Sequence, residues 1–190
     1  MAYNSNIHQR KSFRLKGYDY SQAGLYFITI CVQDRLCLFG NVKNVEMMLN
    51  DAGRMVENEW LKLPQRYTNI ELHEFVVMPN HFHAIMEIAG ATLVVAQNET
   101  VAQNIESGQP QGIAPTKPKT VGDMVGAFQS MVTVEYIRGV KQLGWGPFNR
   151  KLWQRNYWEH IIRDERSYER ITEYITNNPK YWDNDKFNNQ

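Results

Sequence analysis

The sequence has little of what marks disulfide-rich, zinc-binding or membrane proteins. It holds only two cysteines, Cys31 and Cys37, and their spacing matches neither a disulfide framework nor a zinc finger. No apolar run approaches the roughly 20 residues needed to cross a bilayer. The polar N-terminal residues also lack the apolar centre of a signal peptide. These absences predict a soluble intracellular protein without a membrane partner.

The chain also lacks a strong excess of charge of either sign, with 21 Lys and Arg against 20 Asp and Glu. Any anion-binding surface must therefore come from local clustering. Residues 10–20 and 149–158 interleave cations with aromatic residues, a composition that suits single-stranded nucleic acid. The alternative is an ordinary solvated basic surface. The candidate phosphate contacts are Arg10, Lys11, Arg14, Lys16, Arg150, Lys151 and Arg155.

The aromatic residues of the second basic segment have two interpretations. Trp153, Tyr157 and Trp158 could stack on bases or pack in the core or on the sheet. Packing is the prediction, because large aromatic side chains are more often part of a core.

The apolar pattern predicts strands over 24–33, 69–78, 81–90 and 152–164. It predicts helices over 49–64, 120–139 and 165–178. The first helix is expected to be capped by Asn50 or Asp51 and to end at Pro64, and the second to be capped by Thr120 or Asp123 and to end at Gly139. Residues 1–20 are predicted to be a basic arm and 90–120 an irregular insertion.

Without the insertion and the last helix, the predicted order is βαββαβ. This is the ferredoxin-like arrangement of an α+β fold, with one antiparallel sheet and its helices on one face. The last helix is an addition to that scaffold, and such additions often carry function. We therefore expect one domain over residues 1–190.

The stretch "MPNHFHAIMEI" places two histidines at the start of a predicted strand, directly after a hairpin turn. Side chains at i and i+2 of a strand share a face, so His81 and His83 should project side by side while Phe82 points into packing. Two neutral imidazoles suit a divalent cation. The alternative is a pair of polar surface residues at a strand end.

Two histidines make an incomplete metal site, so a third ligand is needed. From the residues alone, the candidates are His73 on the partner strand, Glu159 and His160 on the last strand, and Asn178 at the end of the last helix. Cysteines are poor candidates, because a thiolate would indicate structural zinc.

The chain resembles the single-tyrosine HUH transposases, and within them the REP-associated tyrosine transposases. "PNHFH" before an apolar strand matches their histidine–hydrophobic–histidine motif. "EYITNNP" matches their second motif, a helix carrying a tyrosine with an amide four residues later. The segments "RKSFRLKGYDYSQAGLYFITICVQDR", "VGAFQS" and "KLWQRNYWEHIIR" are also similar to that branch.

The resemblance implies an enzyme that cleaves and rejoins single-stranded DNA at hairpin-associated sites. It implies that His81, His83 and Asn178 hold Mg²⁺ or Mn²⁺, with Asn177 as a weaker alternative to Asn178. It implies that Tyr174 attacks the scissile phosphate, forming a 5′-phosphotyrosine bond and freeing a 3′-OH. It further implies base reading by the 10–16 arm, a cytoplasmic, nucleoid-associated location of prokaryotic type, and a monomer or homodimer.

Two other functions stay open at this point. One is a non-catalytic protein that binds single-stranded or hairpin nucleic acid on a ferredoxin-like sheet. The other is a structural or regulatory metal protein. Without the resemblance, Tyr174 would itself be interpreted as a core residue, since Tyr168, Ile171 and Ile175 already form an apolar stripe on the same helix.

Overall fold

The computed structural model describes residues 17–90 and 118–188. The predictions for Arg10, Lys11, Arg14, Lys16, the 1–20 arm as far as residue 16 and most of the 90–120 insertion lie outside this part of the chain. The strands are β1 Gly24–Cys31, β2 Gly40–Lys43, β3 Glu46–Leu49, β4 Ile70–Val77, β5 His81–Ile88 and β6 Trp158–Ile162. The α-helices are α1 Asp51–Leu61, α2 Leu63–Arg66, α3 Val121–Gln142 and α4 Glu165–Thr176, and short 3₁₀ turns cover Gln33–Arg35 and Pro179–Asn184.

The main sheet has four strands in the order β4-β5-β1-β6, and every neighbouring pair is antiparallel. This is the strand order of a ferredoxin-like βαββαβ unit, so the predicted α+β fold is confirmed. The two central strands, β5 and β1, hold more buried residues than the edge strands β4 and β6. The sheet therefore places β1 directly beside β5, the strand that carries the histidine pair, and β6 on the far side of β1.

A separate hairpin of β2 and β3 was not predicted. Its turn residues, Asn44 and Val45, both have positive φ, at 52° and 61°. A β-branched residue rarely adopts this conformation, and the usual Asn-Gly or Asp-Gly signal of such a turn is absent. The sequence therefore gave no local indication of this hairpin.

Helices α1 and α3 cover one face of the sheet. Trp60 of α1, Phe82 of β5 and Phe128 of α3 form one aromatic group, with ring centroids 5.0–5.2 Å apart. Phe82 is fully buried, so the prediction that it points into packing is confirmed. Burying a phenylalanine of this kind contributes about 2–3 kcal/mol.

The last helix packs on the opposite face, over β4 and β5. Its apolar stripe, Ile171 and Ile175, contacts Ile85 of β5 and Ile162 of β6. Asp164 begins the helix, and its carboxylate accepts a hydrogen bond from the backbone N–H of Ser167. Because α4 lies mainly over β4 and β5, a cleft remains between it and the edge strand β6.

Several predicted boundaries were wrong. The last strand begins at Trp158 instead of residue 152, since only a single bridge joins Val32 to Trp153 before regular pairing starts. Helix α1 ends at Leu61, and Pro64 lies in the first turn of α2, where a missing N–H costs nothing. The final helix ends at Thr176, two residues earlier than predicted.

The residues that cap α1 and α3 agree with the prediction. Asn50 caps α1, since its side chain accepts from the backbone N–H of Gly53. Thr120 caps α3, with Asp123 completing a capping box. Both were among the predicted alternatives. Within residues 17–90 and 118–188, no helix is both long and apolar enough to cross a membrane.

Helix α3 continues past Gly139 to Gln142, which contradicts the predicted end at that glycine. Gly139 is required for a different reason, because a Cβ built there would overlap the ring of Trp145. Gly126 of the same helix has open space around its Cα. The two glycines are therefore matched positions with opposite packing.

We predict that Gly139→Ala lowers the free energy of unfolding by about 1–3 kcal/mol, the usual cost of overpacking. Gly126→Ala, the control, should raise it by up to about 1 kcal/mol, because alanine is the better helix former. Urea unfolding measures both changes. Equal effects of the two substitutions would contradict the packing of Trp145 on Gly139.

Candidate metal and nucleophile site

The two histidines lie side by side on the face of β5 that α4 covers. Both are buried, and their ring centroids are 4.6 Å apart. Burial lowers the pKa of His81 to about 3. Burial, and next the nearby His81, lower the pKa of His83 well below its usual range. Both rings are therefore neutral near pH 7, the form in which imidazole binds a cation.

Asn80, the residue before the pair, determines which nitrogen of His81 carries the proton. Its Nδ2 donates to the backbone carbonyls of Arg35 and Phe187, at 3.2 and 2.8 Å. Its Oδ1 therefore faces His81 and accepts from Nδ1 at 2.8 Å. The lone pair of His81 is consequently on Nε2, which is buried and has no hydrogen-bond partner.

His83 is held by one residue on each side. Its Nδ1 lies 2.8 Å from Thr29 Oγ1, on the strand position of β1 that pairs with it. Its Nε2 lies 3.3 Å from the hydroxyl oxygen of Tyr174. Phe27 stacks against the ring at a centroid distance of 5.4 Å.

Tyr174 lies beside the apolar stripe of α4, and its ring is turned towards the histidines. Its ring contacts Phe27 and His83, at centroid distances of 6.1 and 5.2 Å, and 41% of the residue is exposed. Burial of its inner part raises the pKa of the phenol. The hydroxyl is thus at the border between the buried histidines and open solvent.

Asn178 is the second residue after α4 and is 2% exposed. Its side chain lies close to His81 and Tyr174. The interaction raises the pKa of His81 and lowers the pKa of Tyr174, in each case against the larger effect of burial. Its Oδ1 nevertheless makes no hydrogen bond of good geometry. Asn177 instead donates its amide to the backbone carbonyl of Glu173, away from the histidine pair.

The other candidate third ligands lie elsewhere. His73 bonds Tyr168 through Nδ1 and Glu87 through Nε2, at 3.1 and 3.0 Å. His160 is exposed on the edge strand, and Glu159 points to the other face of the sheet, towards Tyr26.

A different group, Glu71, His73 and Glu87, could hold a metal ion, since its ligand atoms lie within 4.8 Å of one another. Within the described ranges 17–90 and 118–188, these are the three His, Cys, Asp or Glu side chains that come this close together. The pair His81 and His83 is not part of it. Among the described residues, no third His, Cys, Asp or Glu groups with His81 and His83 at this spacing. The buried Asn178 side chain lies next to His81.

A cleft of about 590 Å³ opens beside Tyr174. It is lined by Phe27 and Thr29 of β1, by Trp158 of β6 and by the basic side chains of Arg155 and Lys186. Arg155 was predicted as a phosphate contact and does line this cleft.

The other predicted residues of this segment lie in different places. Arg150 and Lys151 are exposed and do not line the cleft. Trp153 is buried as predicted, and Tyr157 is half-buried. Trp158 is 52% exposed, so it is not a core residue, although it belongs to the sheet as the first residue of β6. It lies at the edge of the sheet, where no further strand covers it.

Sequence reasoning missed the residues that hold the histidines. Asn80 is visible in "PNHFH" as a turn residue, but nothing in the pattern indicates its bond to His81. Thr29 lies far away in sequence. Trp182 and Phe187 also cover His81, at centroid distances of 6.0 and 4.6 Å, and their position depends on the chain turning back after α4.

No family model matches the sequence. A Haemophilus influenzae protein of uncharacterised function is 41% identical over 187 residues, which cover 97% of this chain and 96% of that protein. A second protein of the same organism, named provisionally as a REP-associated tyrosine transposase, is 21% identical over 169 residues, covering 85% of this chain and 73% of that protein.

Among solved structures, a REP-associated tyrosine transposase bound to a REP hairpin superimposes with a TM-score of 0.55 at 17% identity, over 88% of this chain and 73% of that one. At this identity the match shows a shared fold. The chain therefore belongs to one family with the 41% identical Haemophilus influenzae protein, and it resembles the REP-associated tyrosine transposases in sequence and in fold.

Proposed function

We propose that the chain is a DNA transposase or nuclease that cleaves and rejoins single-stranded DNA through Tyr174. The observation that carries this proposal is the 3.3 Å approach of the Tyr174 hydroxyl to Nε2 of His83, at the mouth of the cleft. A protein that only bound nucleic acid would not need a half-exposed phenol directed at a buried histidine pair.

A bound cation fits the polar atoms at this site. Nε2 of His81 and Oδ1 of Asn178 are buried without a hydrogen-bond partner, and each such atom costs about 1–3 kcal/mol when left unsatisfied. Together with Nε2 of His83 they would hold Mg²⁺ or Mn²⁺, with Thr29 accepting the Nδ1 proton of His83. When bound, the ion supplies Lewis-acid polarisation of a phosphate oxygen.

Tyr174 is the proposed nucleophile. Its phenolic oxygen attacks the scissile phosphorus, and the bond from phosphorus to the 3′ oxygen breaks. The phenol loses its proton, the leaving 3′ oxygen gains one, and the products are a 5′-phosphotyrosine and a free 3′-OH. Reversal by the same or another 3′-OH rejoins the strand and releases Tyr174.

Hairpin DNA is the proposed partner. The structure with the shared fold is bound to a REP hairpin, and the cleft beside Tyr174 combines aromatic walls with two cations. Base stacking and phosphate contact are the two interactions that hold single-stranded DNA. Since Tyr174 reaches a histidine of its own chain, a monomer is sufficient for the chemistry. A cytoplasmic, nucleoid-associated location is part of the same proposal.

We predict that the protein forms a covalent adduct with a labelled DNA hairpin that carries single-stranded extensions, in the presence of Mn²⁺. Tyr174→Phe should form none, because the attacking oxygen is missing. Denaturing electrophoresis detects the adduct as a labelled protein band.

Tyr168→Phe is the matched control, since Tyr168 lies on the same helix but bonds His73. It should retain the adduct. Wild-type protein that binds the hairpin but forms no adduct would refute the proposed function, and an adduct with Tyr174→Phe would refute the nucleophile.

We also predict that Mn²⁺ stabilises the wild-type protein against heat, by about 2.7 kcal/mol at a concentration 100 times the dissociation constant. Asn178→Ala should lose most of this effect, because it removes one of three ligands. Asn177→Ala should keep it, because that amide bonds the helix backbone. Differential scanning calorimetry with and without Mn²⁺ measures the shift. Equal stabilisation of all three proteins would exclude Asn178 as a ligand.

A further inference from the structure

A second cleft, of about 520 Å³, lies between the edge strand β6 and helix α4. Its lining includes three arginines: Arg163 follows β6, and Arg166 and Arg170 lie on α4. His160 of β6 lines the same space. This concentration of cations is unexpected in a chain whose formal net charge is +1.

The three arginines are not engaged by carboxylates. None of them forms an ion pair in the part of the chain that the structure describes. Arg170 has a long contact of 3.4 Å to the Ser167 hydroxyl. Asp164 also lines the cleft, but its carboxylate caps the helix by accepting from Ser167. The guanidinium groups are therefore free to bind an external anion.

The helix separates its charges by face. Arg166, Arg170 and Tyr174 are four residues apart in turn and share one stripe of α4. The acidic residues Glu165, Glu169 and Glu173 form the neighbouring stripe, and none of them lines the cleft. Among the charged residues within α4, those that line the cleft are therefore Arg166 and Arg170, with Ser167 between them.

The arginine cleft and the cleft beside Tyr174 both lie along β6 and α4. Trp158 and Tyr174 line the first cleft, and His160 and Arg170 line the second. Trp158 and His160 are at i and i+2 of β6, and therefore on one face. From Arg166 to Tyr174 the helix rises about 12 Å, the length of about three stacked nucleotides.

We propose that the groove formed by these two clefts binds the single DNA strand next to the scissile phosphate. Arg163, Arg166 and Arg170 contact its phosphates, and the exposed Trp158 stacks on a base nearer to Tyr174. The proposal rests on the proposed function, since it locates the strand relative to the nucleophile. It adds three phosphate contacts, Arg163, Arg166 and Arg170, that lie outside both basic segments of the sequence.

Fluorescence anisotropy with an unstructured single-stranded oligonucleotide tests this binding surface. The measurement is made in EDTA, where no metal-dependent cleavage occurs. The variant is Arg163→Gln/Arg166→Gln/Arg170→Gln. The control, Arg66→Gln/Arg138→Gln/Lys141→Gln, removes the same charge from α2 and α3 on the other side of the sheet. Circular dichroism verifies that both remain folded.

We expect the dissociation constant of the arginine variant to rise on the order of tenfold or more at 0.1 M salt. Its slope of log affinity against log salt should fall by about 2, since each lost phosphate contact on a single strand accounts for about 0.7. The control should keep the wild-type slope. Identical affinity and slope in the two variants would overturn the proposal.

A hairpin without single-stranded extensions shows whether the groove binds duplex or single-stranded DNA. If the arginine variant loses affinity for this stem alone, and not for the oligonucleotide, the groove holds duplex and the single-strand assignment is wrong. Because none of these measurements needs cleavage, they can succeed while the adduct assay fails. The two proposals are therefore refuted separately.

Discussion

Burial of β5 on both faces is the constraint on which the rest of the structure depends. Residues at even positions, such as Phe82, pack under α1 and α3, and residues at odd positions, such as Ile85, pack under α4. Because side chains alternate strictly along a strand, a shift of one residue in the pairing with β1 would exchange the two sets. The same alternation that builds the core therefore sends His81 and His83 to the face of α4. The site is a consequence of how the core is packed.

A buried polar site of this kind lowers stability in the absence of a ligand. The neighbours of the histidines satisfy one nitrogen of each ring, through Asn80 and Thr29, and direct the other nitrogen into a common space. Asn178, whose side chain acts on His81 and Tyr174, has a buried oxygen without a hydrogen-bond partner. An apolar replacement of these groups would pack with less desolvation cost. Conflicts between local stability and side-chain choice are expected at functional sites, and here the two unsatisfied atoms are Nε2 of His81 and Oδ1 of Asn178.

The sequence predicted those features of the fold that depend on local periodicity. The βαββαβ order, the shared face of His81 and His83 and the opposite direction of Phe82 follow from apolar spacing alone. The β2–β3 hairpin did not, because its turn places Val45 at a positive φ that no composition rule favours. The arginine cleft was missed for a related reason. Arg166 and Arg170 alternate with glutamates, a pattern typical of any solvated helix, and only the docking of α4 decides which stripe faces β6.

The docking of α4 also positions Tyr174, the proposed nucleophile. A helix of 12 residues is marginal in isolation, so its position depends on contacts with the sheet. Ile171 and Ile175 supply the apolar contact, and Tyr168 adds a hydrogen bond to His73, which in turn bonds Glu87 of β5. These contacts hold α4 to the sheet along one stripe, and the neighbouring stripe with Arg166, Arg170 and Tyr174 borders the two clefts. Tyr174 is next to Ile175, and packing of Ile175 prevents the helix from rotating about its axis. The direction of Tyr174 towards His83 therefore follows from the apolar packing of its neighbour.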